Sequence, residues 1–183
     1  MKLRIGACLL TLVMMVSLFT VVVSAAARDL PIPPMYSVTS PPTQFDQDPI
    51  RQHSFKADKL NSNGYVESTV TYSYVGMTQP APMVDQGYEE TIAKDIRNEE
   101  KRLQSNPNYQ GRIEFMGGTL FIVKRPPPPD AMIGKPSPDK YDGAYYEKLG
   151  RGMLVIKFFN IEGREGRMKE LIDYMRRGTA DCN

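Results

Sequence analysis

The 183-residue chain has no tryptophan, one histidine and two cysteines. Each scarcity removes a class of chemistry. The lone histidine, His53, stands in a proline-rich stretch where nothing local holds it within hydrogen-bond reach of a nucleophile, so no Ser-His-Asp or Cys-His arrangement can be assembled. No Gly-x-Ser-x-Gly elbow is present either. The acidic pairs Glu89/Glu90 and Glu162/Glu165 read as a helix first turn and a solvated loop rather than as catalytic carboxylates. Asp46 and Asp48, with His53 beyond them, offer metal ligands without a scaffold, and Asp139, Asp142 and Gly143 lack the alternate-position carboxylates of a calcium loop. The sequence points to no catalytic residue, no metal and no cofactor.

Of the two cysteines, Cys8 lies in an N-terminal apolar segment and Cys182 is second from the C-terminus. Without Cys8 no internal disulfide can form, so the fold must rest on its core. Cys182, on a tail of residues 179–183, is then an unpaired thiol. In an oxidising compartment it either joins two chains as a disulfide-linked dimer or stays free on a frayed end.

An excess of one charge is also missing. The chain has 23 basic and 21 acidic residues, and loss of Lys2 and Arg4 with the leader leaves 21 of each. Without net positive charge or a long Lys/Arg run it has no means of displacing counterions from phosphate, so nucleic acid is not an expected partner.

What is present starts at the N-terminus. Lys2 and Arg4 precede an apolar run over residues 5–23 that closes on Ser24, Ala25, Ala26 and Ala27, the order of an export signal. Residues 1–27 read as a signal peptide cut after Ala25 or Ala27. The run exceeds the roughly 7 to 15 residues of ordinary leaders and approaches the roughly 20 of a bilayer span, so an uncleaved signal anchor is the alternative. Both readings keep the positive charge inside. The protein is therefore expected to be secreted or extracellular, periplasmic if bacterial, or else membrane-anchored with its domain outside. Membrane contact is expected only through residues 5–23, and only if they are retained.

Residues 28–63, with Pro31, Pro33, Pro34, Pro41, Pro42 and Pro49, read as an extended proline-rich arm. Residues 64–178 read as a single α+β domain. Val66, Val70, Tyr72 and Tyr74 alternate with Glu67, Thr69, Thr71 and Ser73, which is strand periodicity. Asp85 can then cap a helix with Glu89 and Glu90 early, Lys101 and Arg102 late, and a narrow stripe of Tyr88, Ile92, Ile96 and Leu103. Asn106-Pro107 stops it. Gly117-Gly118 predicts a two-residue hairpin turn with Met116 opposite Thr119, Phe115 opposite Leu120 and Ile113 opposite Ile122. Arg112, Glu114, Phe121 and Val123 take the other face.

Residues 126–150 read as a long connection in which Tyr141 and Tyr145 share a face of a short helix. Residues 152–161 are apolar on both faces, the pattern of a central strand. A last helix over about 167–177 carries Met168, Leu171, Ile172 and Met175 and ends at Gly178 as its C-cap. The elements add up to a small, mainly antiparallel sheet of about four strands with two helices over one face, preceded by the signal segment and the arm. A split βαβ arrangement is the alternative.

Two sites stand out. Gly163-Arg164-Glu165-Gly166-Arg167 leads from a strand into a helix, where converging N–H groups with Arg164 and Arg167 suit a carboxylate, sulfate or phosphate; Gly163, Arg164, Gly166 and Arg167 are the candidate anion site. Tyr141, Tyr145 and Tyr146, on the long connection, are the candidate partner-binding cluster. Asn106-Pro107-Asn108-Tyr109 and the Pro126/Pro129 spacing imitate cytosolic recognition strings but read here as a turn and a stiff spacer. The expected function is that of a secreted or envelope-associated, non-catalytic protein that contacts another protein. A small exported enzyme or enzyme inhibitor, and a membrane-anchored structural subunit of a cell envelope, are the alternatives.

Overall fold

A computed structural model describes residues 30–77, 82–127 and 137–178, the side chains of 82–85 excepted. The signal segment, Cys182 and the tail lie outside them. The order is β1 (Ser37–Val38), β2 (Thr43–Gln47), β3 (Ile50–Leu60), β4 (Val66–Met77), α1 (Pro82–Gln104), β5 (Tyr109–Phe115), β6 (Gly118–Lys124), β7 (Lys140–Leu149), β8 (Gly152–Glu162) and α2 (Arg164–Arg177). The class is α+β, with two helices and an antiparallel sheet. The sheet runs β1-β3-β4-β8-β7-β6-β5, and β2 also pairs with β3, giving eight strands rather than about four. Two stretches supply the excess. The arm contributes β1, β2 and β3, and the supposed long connection contributes β7.

The helices lie on opposite faces, not on one. Met168, Leu171, Ile172 and Met175 of α2 join Tyr72, Tyr74, Leu120, Tyr145, Leu154 and Ile156 in the larger core. Ile92 and Leu103 of α1 pack with Phe121, Val123, Ala144 and Tyr146 on the reverse side, with Met153 and Val155 of β8 beside them. Strands β6, β7 and β8 are thus buried twice, which explains why β8 is apolar on both faces. Each fully buried large side chain among them contributes about 2 kcal/mol of transfer free energy. Helix α1 begins at Pro82, so Asp85 sits inside its first turn rather than capping it. It ends as expected, with Asn106 Oδ1 accepting the Asn108 N–H at 2.9 Å.

The β5–β6 turn is displaced by one residue from the expected one. Phe115 pairs with Gly118 and Ile113 with Leu120, so the turn residues are Met116 and Gly117. Both have positive φ, 51° and 78°, which a type I′ turn demands at its two central positions. Gly118 serves a different need: a Cβ there would meet the Tyr146 carbonyl oxygen at 2.5 Å and the Tyr145 ring at 2.6 Å. The shift leaves Ile113, Phe115, Leu120 and Ile122 on the expected common face, against α2. Gly178 ends α2 as its C-cap, as expected. Its φ of −71° is right-handed, so it is no left-handed cap; an added Cβ would run into Pro31, which packs on the helix end.

Gly118→Ala should lower stability by about 2 kcal/mol through overpacking, and Gly117→Ala by about 1 kcal/mol through left-handed backbone strain. Urea denaturation midpoints give the ranking, and the reverse order would return the turn to Gly117-Gly118.

Candidate functional site

A cleft forms where β8 runs out and α2 begins. Register slips there: Tyr141 pairs with Ile161 but Gly143 with Phe158, so β8 carries the extra residue of a bulge. Asn160 occupies it with φ 62°, a left-handed value that asparagine tolerates. Its N–H donates to Asp142 Oδ1 at 2.8 Å, and its side-chain amide donates to the Glu67 carbonyl oxygen. The bulge turns Ile161 to the same side as Phe158, although three residues apart on a regular strand would face opposite ways. Gly163 and Arg164 follow with φ of 90° and 52°, and α2 starts without a side-chain cap.

The resulting cleft, about 570 Å³, lies between this corner and the end of the β3–β4 hairpin. That volume falls in the range of small-ligand and side-chain pockets. Tyr36 and Ser68, whose hydroxyl oxygens are 2.8 Å apart, line it together with Tyr141 and Ile161. Gly163, Arg164 and Arg167 of the predicted anion site line it too. Gly166 does not, and a Cβ there would meet nothing.

Most of the charge around the cleft is neutralised locally. Lys59 Nζ lies 2.8 Å from Glu67 Oε2, and its hydrogen bond holds the Glu67 carboxyl below the ordinary 4.5 against the opposing effect of burial. Lys140 pairs with Glu162 and stands 3.9 Å from Glu67. Asp139 takes Lys124 at 2.8 Å, and Arg167 takes Glu170 at 2.8 Å. Arg164 differs: its Nη2 donates to the neutral Gln110 Oε1 at 3.0 Å, and it has no carboxylate partner among the described residues. The arrangement thus leaves Arg164 at the cleft without a carboxylate partner among the described residues.

The tyrosine cluster is not an exposed loop surface. Tyr141, Tyr145 and Tyr146 belong to β7 and are 9%, 0% and 4% exposed. Only Tyr141 reaches the cleft. Tyr146 faces α1, and burial first, then Glu99 and Asp95, push its phenol up to about 12. Tyr145 faces α2 and donates to Glu147 Oε2 at 2.8 Å; burial, followed by the Glu147 charge, raises its phenol far above the ordinary value. Glu147 itself is 4% exposed. Arg176 holds it in two places, Nε to Oε2 at 2.8 Å and Nη2 to Oε1 at 2.6 Å. No sequence pattern announced this pair.

His53 also fares differently from expectation. It is buried in β3 with Nε2 3.0 Å from Asp46 Oδ1. Among the described residues, no three His, Cys, Asp or Glu side chains come together in a way that could hold a metal ion. No helix there is long and apolar enough to cross a membrane. No protein-family profile, curated protein or solved structure matches the chain.

Because the folded Glu67 carboxyl is depressed, its ion pair stabilises the fold above pH 4.5, and that contribution drains away as pH falls through the folded-state midpoint. Lys59→Met should raise the Glu67 midpoint, read by NMR of its side-chain carboxyl; an unmoved midpoint would transfer the effect to Lys140. Arg176→Met should cost about 3 kcal/mol in chemical denaturation, since it strands a buried carboxylate. A cost below about 1 kcal/mol would mean that water reaches Glu147.

Proposed function

We propose that this protein is a non-catalytic binding module, working outside the cytosol, that captures an acidic, partly apolar segment of another protein in the cleft. The observation that carries the reading is Arg164, held at the cleft mouth by a neutral amide rather than a carboxylate. A guanidinium paired to an amide gains a charge-assisted, bidentate partner when a carboxylate arrives, whereas the neighbouring lysines would have to give up ion pairs they already hold.

The surroundings support a peptide over a small ion. The hairpin stem residues Lys59, Glu67 and Ser68 form one wall of the cleft. At the tip of that hairpin Leu60, Tyr65 and Val66 are exposed, Tyr65 by 72%, and Met35, next to the wall residue Tyr36, is 72% exposed as well. Exposed large apolar side chains gathered beside a polar cleft mark contact surfaces. An anchor of this kind seats an apolar side chain at the tip and an acidic side chain or terminal carboxylate at Arg164.

Panning a random peptide library against the full chain tests the reading. Enriched peptides should carry an acidic group flanked by apolar residues, and Arg164→Gln should weaken them by about tenfold or more, the worth of a hydrogen bond to a charged group. Enrichment without acidic character, or affinity indifferent to Arg164→Gln, would sink it.

A further inference from the structure

We infer that β5 is a self-association edge, pairing antiparallel with β5 of a second copy of this chain about a two-fold axis through Ile113, so that two sheets become one. The sheet's two edges are built differently. On the far side β3 is flanked by β1 and β2, which share its length between them, and short strands blunt an edge. At the other side β5 is the outermost strand among the described residues, and its seven residues contain neither proline nor lysine.

The turn decides which backbone groups are available. In a two-residue hairpin the flanking pair, Phe115 and Gly118, is hydrogen-bonded. Alternation then directs the N–H and C=O of Ile113 and Phe115 toward β6 and those of Arg112 and Glu114 away from the sheet. A two-fold axis at Ile113 sets Arg112 opposite Glu114 of the second copy, and Glu114 opposite its Arg112. Both are positions where opposed residues exchange two backbone hydrogen bonds, four in all.

The side chains agree with that register. Arg112 and Glu114 are 41% and 79% exposed and already adjoin at 3.2 Å. In the pair of strands each charge gains a second opposite neighbour, producing an alternating square of two arginines and two glutamates. On the other face Ile113 meets Ile113, and Gly111, around which an added Cβ would meet nothing, receives Phe115 of the second copy. Centring the axis one residue either way would oppose Arg112 to Arg112 or Glu114 to Glu114, so the charges select one register and penalise its neighbours. An edge of this length buries less than the roughly 1,200 Å² of a standard interface, the size class of weak, transient contacts.

Sedimentation velocity of the full chain, kept reduced so that no disulfide contributes, tests the proposal. The wild type should show concentration-dependent dimers, R112E or E114R alone should weaken association tenfold or more, and the double reversal R112E/E114R should restore it to within about threefold. Circular dichroism melts should be unchanged, since both side chains are exposed. As an independent check, Ile113→Cys in a Cys8→Ser, Cys182→Ser background should form a disulfide-linked dimer on oxidation, because non-hydrogen-bonded pairs hold their Cα atoms about 4.5 Å apart. A monomer at every concentration up to about 100 μM, single reversals that associate like wild type, a double reversal that stays weak, or failure of the Ile113→Cys cross-link would each overturn it.

Discussion

A buried carboxylate must find a partner, and the way Glu147 finds one fixes the geometry of half the molecule. Its two oxygens take the Arg176 fork and one also takes the Tyr145 hydroxyl, while Arg176 Nη2 lies 3.4 Å from the Met116 carbonyl oxygen. One guanidinium thereby joins the last turn of α2, the inner strand β7 and the β5–β6 turn. Such a pair contributes less to net stability than to uniqueness, because any other placement of α2 leaves a charge stranded in an apolar space. At its opposite end α2 is set by the β8 bulge and the left-handed Gly163 and Arg164. The cleft occupies the corner whose shape these two fixed ends determine.

Burial on both faces distributes the remaining constraints. The α2 side holds most of the aromatic mass, including the stacked Phe55 and Tyr72 rings, 5.1 Å between centroids. The α1 side is thinner, since a helix with a narrow apolar stripe packs over β5 to β8. The other half of that face is polar: Ser54 opposite Ser73, Lys56 opposite Thr71, and Asp58 opposite Thr69. Ser54, Lys56, Thr69, Thr71 and Ser73 keep access to water, whereas Asp58 is buried and is satisfied by cross-strand and ion-pair contacts. One of these is the Thr69 hydroxyl donating to Asp58 at 2.5 Å.

Local periodicity made β4 and α2 legible, because each repeats its apolar residues with one period, while β8 was legible as an apolar run whose bulge at Asn160 was not. The faces of β5 and β6 were legible for the same reason, whereas their turn was not: two adjacent glycines offered two registers, and only the close approach of Tyr145 and Tyr146 to Gly118 separates them. Tyr141 and Tyr145 misled because a spacing of four is both about one helical turn and two strand repeats. The arm held a usable signal that its prolines masked. His53, Phe55 and Ala57 are buried and alternate with Gln52, Ser54 and Lys56, which are not. With a histidine in place of an aliphatic residue, that alternation falls below what composition alone reveals. Of the candidate anion loop, the glycine and arginine spacing picked out Gly163, Arg164 and Arg167, which line the cleft, and Gly166, which does not. The opposite wall of the cleft comes from residues about a hundred positions earlier and depends on strand order, which no local pattern encodes.

That wall also bears on how selective the proposed site would be. Exposed ion pairs contribute little, so Lys59 with Glu67 and Lys140 with Glu162 add modestly to stability while cancelling most of the field around the cleft. Cancellation removes the broad positive surface that would attract any polyanion. What is left is the Arg164 guanidinium, held by the Gln110 amide, which the proposed carboxylate would have to displace. A diffuse anion gains little there, because the neighbouring carboxylates repel it as strongly as the lysines attract it. Under the proposed function, a carboxylate carried on an apolar segment would escape that balance, because contact with the exposed hairpin tip would add apolar burial to the charge pairing.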